Sequence, residues 1–418
     1  MSINSAISGF HKLPIKKRIK HIRKLTGLSR KETSVLKHGS ALSLKLADTM
    51  SENVIGTTGL PLSVATYFRI NGKDYLIPMA IEEPSVVAAA SHAAKLTRPN
   101  GFTASSDKSM MIGQIQFVDV KNVKTAMQKI LKEKKKILDI ANSQDSLIVK
   151  LGGGAKNLDV FILKKMLVIH LIVDVKDAMG ANLVNTMAEA VTPFIHDLAG
   201  GKPRLRIISN LATRRLARAR AVWKKDIIGG DAVDGIIHSY EFAKLDLYRC
   251  ATHNKGVMNG IDAVAIATGN DFRALEAGAH AYAALNGGYS PLTKYYKNKN
   301  GDLVGEIELP IASGIVGGIT NTHPVAQVAL KILNVKSSQE LAQVMACVGL
   351  ANNFAALRAM VVEGIQRGHM KLHANHIAMA AGAKGLLIKK LSRIMVKERK
   401  INSSRARELI EKFRRRRK

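Results

Sequence analysis

The chain has 418 residues, 46% of them hydrophobic, and a mean hydropathy of +0.01, enough apolar material for a sizeable core divided over two or three domains. Its formal charge of +32 is concentrated at the ends, with ten Lys or Arg against one Glu from His11 to His38 and fourteen against three acids from Lys389 to Lys418. With only 5% aromatic residues and only Cys250 and Cys347 as cysteines, neither a base-stacking platform for single strands nor a disulfide framework is available.

Residues 1 to 40 read as a basic helical arm, with Leu13, Ile15, Ile19, Ile22 and Leu25 as its apolar stripe and the charges as its solvated face. Glu52 to Ala65 mixes Gly, Thr, Asn and Pro and suits a tight loop. Tyr75 to Ile81 reads as a buried strand running into Glu82-Glu83-Pro84-Ser85. Proline favours the first helical position, which predicts Glu83 as the N-cap of an Ala-rich helix through Leu96.

From Met111 the pattern becomes one unit. Met111 to Val118 alternates as a strand, Asn122 to Asn142 is a basic amphipathic helix, Asp159 to Leu163 and Met166 to Val175 form a hairpin, Asp177 to Leu198 is a helix and Leu205 to Ser209 a closing strand. That order is the split βαβ, or ferredoxin-like, motif. Asp174 to Asn182 lies where a strand enters a helix N-terminus, a natural phosphate site, and Gly180 with Ala181 allows close approach. No G-x-G-x-x-G occurs, so a dinucleotide bound here uses a non-Rossmann scaffold. Asp145, before Gly152-Gly153-Gly154, suits a ribose diol and would repel a 2′-phosphate; a helix-end polar role is the alternative.

Ala212 to Trp223, with four arginines, reads as a helical face. Arg249 to Gly260 sets Lys255 among glycines and turn-favouring polar residues, with Arg249 six positions before it, Asn259 four after and Asp271 sixteen after. A lysine in such a turn-rich loop is either solvated or poised to polarise a carbonyl. Phe272 to Leu285 is a further helix, Gly314 to Thr320 a Gly-rich loop, and Ser338 to Arg367 a largely buried helix. His369, His373 and His376 can share a helical face, but no Cys or carboxylate stands nearby, and no metal is expected.

Taken together, Glu52 to Gly56, Glu82 to Ser85, Asp177 to Asn182, Thr252 to Asn259 with Gly269 to Asp271, and Gly368 to His373 resemble the motifs of 3-hydroxy-3-methylglutaryl-CoA reductase, in particular its soluble bacterial second class. The resemblance runs from about residue 10 to about residue 390, with the motifs in the family's order. It implies an α+β multidomain protein: a large, mainly helical domain around a central helix, an inserted ferredoxin-like dinucleotide-binding domain and a C-terminal helical flap. The implied limits are 1–109 and 214–370 for the large domain, 110–213 for the small one and 371–418 for the flap with its basic tail.

The implied reaction is reduction of the thioester of hydroxymethylglutaryl-CoA to mevalonate and free coenzyme A by two hydride transfers from NAD(P)H, through mevaldyl-CoA and mevaldehyde, or the reverse. The catalytic set falls on Glu83, Lys255, Asp271 and His369. Lys255 would stabilise oxyanion character, Glu83 would exchange the proton with a pKa raised by burial and by Asp271, Asp271 would hold Lys255 charged, and His369 would protonate the thiolate. Ser85, Arg249 and Asn259 are implied as substrate contacts, and Asp145, Asp177, Met179, Gly180, Asn182 and Asn210 as cofactor contacts, Asp145 favouring NADH while leaving NADPH open. A homodimer with shared active sites is expected, in the cytoplasm, away from membrane and nucleic acid. No uninterrupted apolar run reaches a membrane span, and no signal peptide is expected. Two rivals are a nucleic-acid or anionic-surface binder using the basic ends, and a thioester chemistry with Cys250 as nucleophile.

Overall fold

The computed structural model describes residues 3–37, 42–362 and 374–415. His369 and His373 therefore lie outside the described residues. The chain starts with helices α1 (Ile15–Thr26), α2 (Arg30–Val35) and α3 (Leu44–Asp48). Ile22 and Leu28 of this arm pack on Leu76, Val328 and Ile332, with most of its lysines and arginines left to solvent, whereas Ile15 of the expected stripe is itself exposed. A hairpin of β1 (Leu62–Ile70) and β2 (Lys73–Ala80) follows, then α4 (Val86–Leu96) and β3 (Phe102–Ser106).

Next comes β4 (Met110–Val118), α5 (Val123–Lys132), α6 (Lys134–Asn142), α7 (Ser146–Lys150), β5 (Gly154–Leu163), β6 (Met166–Asp174), α8 (Ala181–Ala199) and β7 (Lys202–Ser209). The four strands pair antiparallel in the order β5-β6-β4-β7, the ferredoxin-like order. Its core is separate, formed by residues such as Met111, Ile115, Phe117, Ile169, Met187 and Val191. The one helix expected from Asn122 to Asn142 is two, parted at Glu133, whose φ of −92° and ψ of 13° leave the helical region.

The remainder is β8 (Leu216–Trp223), α9 (Lys225–Ile228), α10 (Gly230–Leu245), α11 (Leu247–Ala267), α12 (Phe272–Ala283), β9 (Thr293–Lys297), β10 (Leu303–Pro310), α13 (Gly318–Thr322), α14 (Pro324–Leu333) and α15 (Ser338–Val362). A six-stranded sheet in the order β2-β1-β3-β8-β10-β9 gathers strands from both sides of the ferredoxin-like unit. Here the arginine-rich segment departs from its helical reading. Ala217, Ala219 and Ala221 of β8 are buried while Arg218 and Arg220 alternate with them and pair with Glu308 and Glu306 of β10. A period of two decides for strand, although alanine and arginine both favour helix.

The core of the larger body is α15, whose residues from Leu341 to Leu357 are mostly buried, with α11 lying along it. Among the described residues α15 is the one helix long and apolar enough to cross a membrane, but 67% of its most apolar window is buried inside the protein, the property of a core helix. Leu386–Glu398 and Ser403–Arg415 form a small basic helical pair with a core of Leu391, Met395, Ala406 and Leu409.

Candidate active site

The stretch from Arg249 to Gly260, expected as a turn-rich loop, is the middle of the 21-residue helix α11. Asp246 caps it, its carboxylate accepting from the Arg249 amide at 2.6 Å. Gly260 serves packing. A Cβ on Gly260 would lie 2.8 Å from the Val348 carbonyl oxygen and 2.5 Å from the Asn352 amide, so this position lets α11 and α15 touch backbone to backbone. Asn254 is satisfied inside the protein, accepting from the Leu292 amide at 2.9 Å and donating to the Ser290 carbonyl at 3.0 Å. Lys255 is exposed on this helix between the buried Asn254 and Val257.

Its partner is Glu83. The lysine Nζ donates to Glu83 Oε2 at 2.7 Å across 172 positions of sequence. Glu83 is not the N-cap of α4: the helix starts at Val86, and Ser85 occupies the cap position with φ 76° and no side-chain cap bond. A left-handed Ser85 breaks the chain direction after Pro84 and leaves the Glu83 carboxylate free to reach α11. Lys255 is 60% and Glu83 38% exposed, so the pair contributes at most about 1 kcal/mol to stability, and its meaning is chemical. Asn259, four residues on, shares the Lys255 face, whereas Arg249 lies about 120° round the helix. Ser85 and Arg249 are half-buried, and burial lowers the Arg249 pKa.

Asp271 does not meet Lys255 through an ion pair among the described residues. It caps α12, accepting from the Arg273 and Ala274 amides at 3.1 and 3.2 Å, and pairs with Arg273 Nε at 3.1 Å. Burial, which raises its pKa, is outweighed by Arg273 and those amides, so its carboxyl sits below the usual range. Two acids missed by sequence reading form a second group, of which Glu276 feels the charge of Lys255. Asp262, seven residues beyond Lys255, faces Glu276 of α12; burial and that second carboxyl push Asp262 up to about 8. Glu276 is lowered chiefly by its hydrogen bond to His280, with Lys255 adding to the effect. His280 bonds Glu276 through Nε2 at 2.6 Å and the Tyr289 hydroxyl through Nδ1 at 2.7 Å. The i, i+4 spacing of Glu276 and His280 was readable, but their meeting with Asp262 is tertiary.

The expected cofactor residues line one end of the ferredoxin-like sheet. Gly180 caps α8 with φ 102°, and a Cβ there would lie 2.5 Å from Val175 Cγ1, so only glycine fits where this helix N-terminus opens. Asn182, in its first turn, and Asn210, after β7, are exposed. Asp177 accepts from the Ser338 amide at 2.7 Å, and Met179 offers its carbonyl to Arg215 at 3.2 Å. Asp145 caps α7 through one oxygen, which accepts from Leu147 and Ile148 at 3.0 Å each. Beside Asp177 a cavity of about 700 Å³ is lined by Lys108, Lys156 and Lys176. Cys250 is buried, and burial pushes its thiol up to about 11 against the opposing charge of Arg249, the wrong direction for a nucleophile.

The fold is thus α+β, a ferredoxin-like unit set between strands of a six-stranded sheet, with a Lys255–Glu83 pair on the central helix of the larger body and no Rossmann unit among the described residues. The family model for hydroxymethylglutaryl-coenzyme A reductase matches residues 14–374. The chain is 55% identical to 3-hydroxy-3-methylglutaryl-coenzyme A reductase of Archaeoglobus fulgidus over 99% of this chain and 96% of that protein. It is 38% identical to a probable reductase of the same name from Borreliella burgdorferi over 78% and 77%. Its fold is similar to a class II 3-hydroxy-3-methylglutaryl-CoA reductase from Streptococcus pneumoniae bound to NADPH in open conformations, with a TM-score of 0.81, 40% identity and coverage of 96% of this chain and 100% of that one. The chain belongs to the hydroxymethylglutaryl-coenzyme A reductase family. Its reaction interconverts the thioester of HMG-CoA and mevalonate plus free coenzyme A, with NAD(P)H as hydride carrier.

Proposed function

We propose that both hydride transfers take place over the face of α11 that bears Lys255, and the 2.7 Å contact between Lys255 and Glu83 carries this reading. Each transfer turns a carbonyl into an oxyanion, and the Lys255 ammonium supplies a positive charge at the developing oxygen. Glu83, already in hydrogen-bond contact with that ammonium, exchanges the proton which completes each step. The first transfer yields the mevaldyl-CoA hemithioacetal, which collapses to mevaldehyde and the coenzyme A thiolate; His369, just before the flap, protonates the thiolate, and the second transfer gives the alcohol. Asp271, four residues beyond the end of α11, turns from Arg273 toward Lys255 when substrate binds. Arg249 pairs with the free carboxylate of the substrate, with Ser85 and Asn259 as neighbouring contacts.

Asp177, Met179, Gly180, Asn182 and Asn210 would hold the cofactor, with the N-terminus of α8 offering its amides to the pyrophosphate. Asp145, with one oxygen not used in capping, accepts from the ribose diol of NADH and disfavours a 2′-phosphate; a clearly better kcat/KM with NADPH would reverse this preference. The working unit is a homodimer in the cytoplasm. Ile55, Leu247 and Tyr248 are 101%, 63% and 87% exposed, and the last two adjoin Arg249, where a second subunit would cover them and complete the site. The layout is a large domain over 1–109 and 214–370, the small domain over 110–213 and a flap from 371. Glu83→Gln tests the mechanism: thioester and mevaldehyde reduction both fall about a hundredfold with substrate KM little changed. Loss of thioester reduction alone would remove Glu83 from the second step.

A further inference from the structure

Between the candidate cofactor loop and the end of α11 runs a segment that the mechanism does not use. Arg215, just before β8, is 4% exposed. Its guanidinium donates to the Ala178 carbonyl at 3.3 and 3.2 Å, to the Met179 carbonyl at 3.2 Å, and to the Ser313 carbonyl. From Ser313 the chain continues against both sides. The Gly314 amide donates to Asn270 Oδ1 at 2.7 Å, the Ile315 amide donates to the Asp177 carbonyl at 2.9 Å, and Val316 bridges to Ala178. Asn270 is fixed in turn, donating to Thr268 Oγ1 at 3.0 Å, and precedes Asp271.

We propose that Arg215 is a positioning residue for hydride transfer: with Ser313 to Val316 it forms a strut that sets the distance between the nicotinamide-cofactor loop and the Asn270–Asp271 turn closing the catalytic helix. This rests on the assignment of residues 177–182 to the cofactor. A buried guanidinium costs several kcal/mol of desolvation unless its donors are matched. Here the matching carbonyls belong to two separate loops, so the cation is satisfied only when both are in register. Space is equally restrictive: a Cβ on Gly314 would lie 2.6 Å from the Met179 amide nitrogen and 3.0 Å from the Ala178 carbonyl carbon. Both are backbone atoms, so any side chain at 314 pushes the strut off the cofactor loop.

Gly314→Ala keeps every charge and perturbs only this spacing; Arg215→Lys keeps the charge and loses the fork. For each, kcat, the KM for reduced cofactor and for HMG-CoA, the thermal midpoint, and the isotope effect with cofactor deuterated at the transferred position are measured. The strut predicts that in Gly314→Ala kcat falls about ten- to a hundredfold, since small misplacements at a reacting centre have effects of that order. The isotope effect rises, cofactor KM rises, and HMG-CoA KM stays within about twofold. Arg215→Lys shows the same pattern, more weakly. A lowered thermal midpoint with parental kcat and isotope effect in both variants overturns the proposal, as does an HMG-CoA KM that rises in step with the cofactor KM. Asn182→Ala separates the two levels: unchanged cofactor KM there removes the cofactor assignment itself, whereas a raised KM in Asn182→Ala beside parental Gly314→Ala removes only the strut.

Discussion

Asn353 on α15 is the polar pin of the larger core, and its removal has a computable cost. Its Oδ1 accepts from the Thr293 hydroxyl at 3.0 Å and the Tyr295 hydroxyl at 2.9 Å, and its Nδ2 donates to the His253 carbonyl at 3.0 Å. Thr293 retains a second partner in His253 Nε2 at 2.6 Å, and the buried Tyr295 hydroxyl also bonds Thr293. In Asn353→Ala three buried hydrogen bonds are lost at about 1 kcal/mol each, for a total of about 3 kcal/mol. Tyr295→Phe costs about 1 kcal/mol, and because both single variants lose the same Tyr295–Asn353 bond, the double variant is about 1 kcal/mol less destabilised than the sum. The assay is urea unfolding followed by Trp223, the chain's single tryptophan, which stacks on Phe354 with ring centroids 3.9 Å apart, one residue from the substitution. A cost below about 1 kcal/mol for Asn353→Ala, or strict additivity of the pair, would refute the network.

Asp262 gives a pH signature. Its folded-state pKa of about 8 lies above the ordinary 3.8, so the folded chain binds more protons between those values and stability declines as pH rises through that window. Asp262→Asn has no proton to lose, so its thermal midpoint falls less than the parent's between about pH 6 and pH 9, and parallel declines would contradict this. Cys250→Ala retains full turnover, because a thiol held near 11 contributes no thiolate at neutral pH; a loss of burst or of turnover would return it to the mechanism. Asp145→Ala lengthens no contact in the core and raises the NADH KM several-fold, at most about 1–2 kcal/mol of α7 capping being lost with it; an unchanged KM places the ribose elsewhere.

The ferredoxin-like unit was legible because its strands alternate and its helices are amphipathic, two signals that survive without tertiary information. The central helix was not, since Gly256, Gly260, Asn254 and Asn259 mark turns when their partners are unknown. The structure supplies those partners: the Val348 backbone fills the space at Gly260, and Leu292 with Ser290 satisfies Asn254. Strand β8 was misread for a related reason, as its alanines and arginines favour helix while the cross-strand carboxylates of Glu306 and Glu308 lie far away in sequence. Of the candidate site, the motifs put Lys255 and Glu83 in one set, but their direct contact, the capping engagements of Asp145 and Asp271, the Asp262–Glu276 pair and the buried Arg215 belong to packing.

The most direct test of the account is NADH or NADPH oxidation that depends on HMG-CoA, measured in the parent and in Lys255→Ala with unchanged thermal midpoint. The parent turns over and releases free coenzyme A, and the variant loses at least about a thousandfold in kcat with cofactor binding intact. Turnover by Lys255→Ala within about tenfold of the parent would mean that the oxyanion charge comes from elsewhere, and the Lys255–Glu83 pair would no longer be the centre of the site.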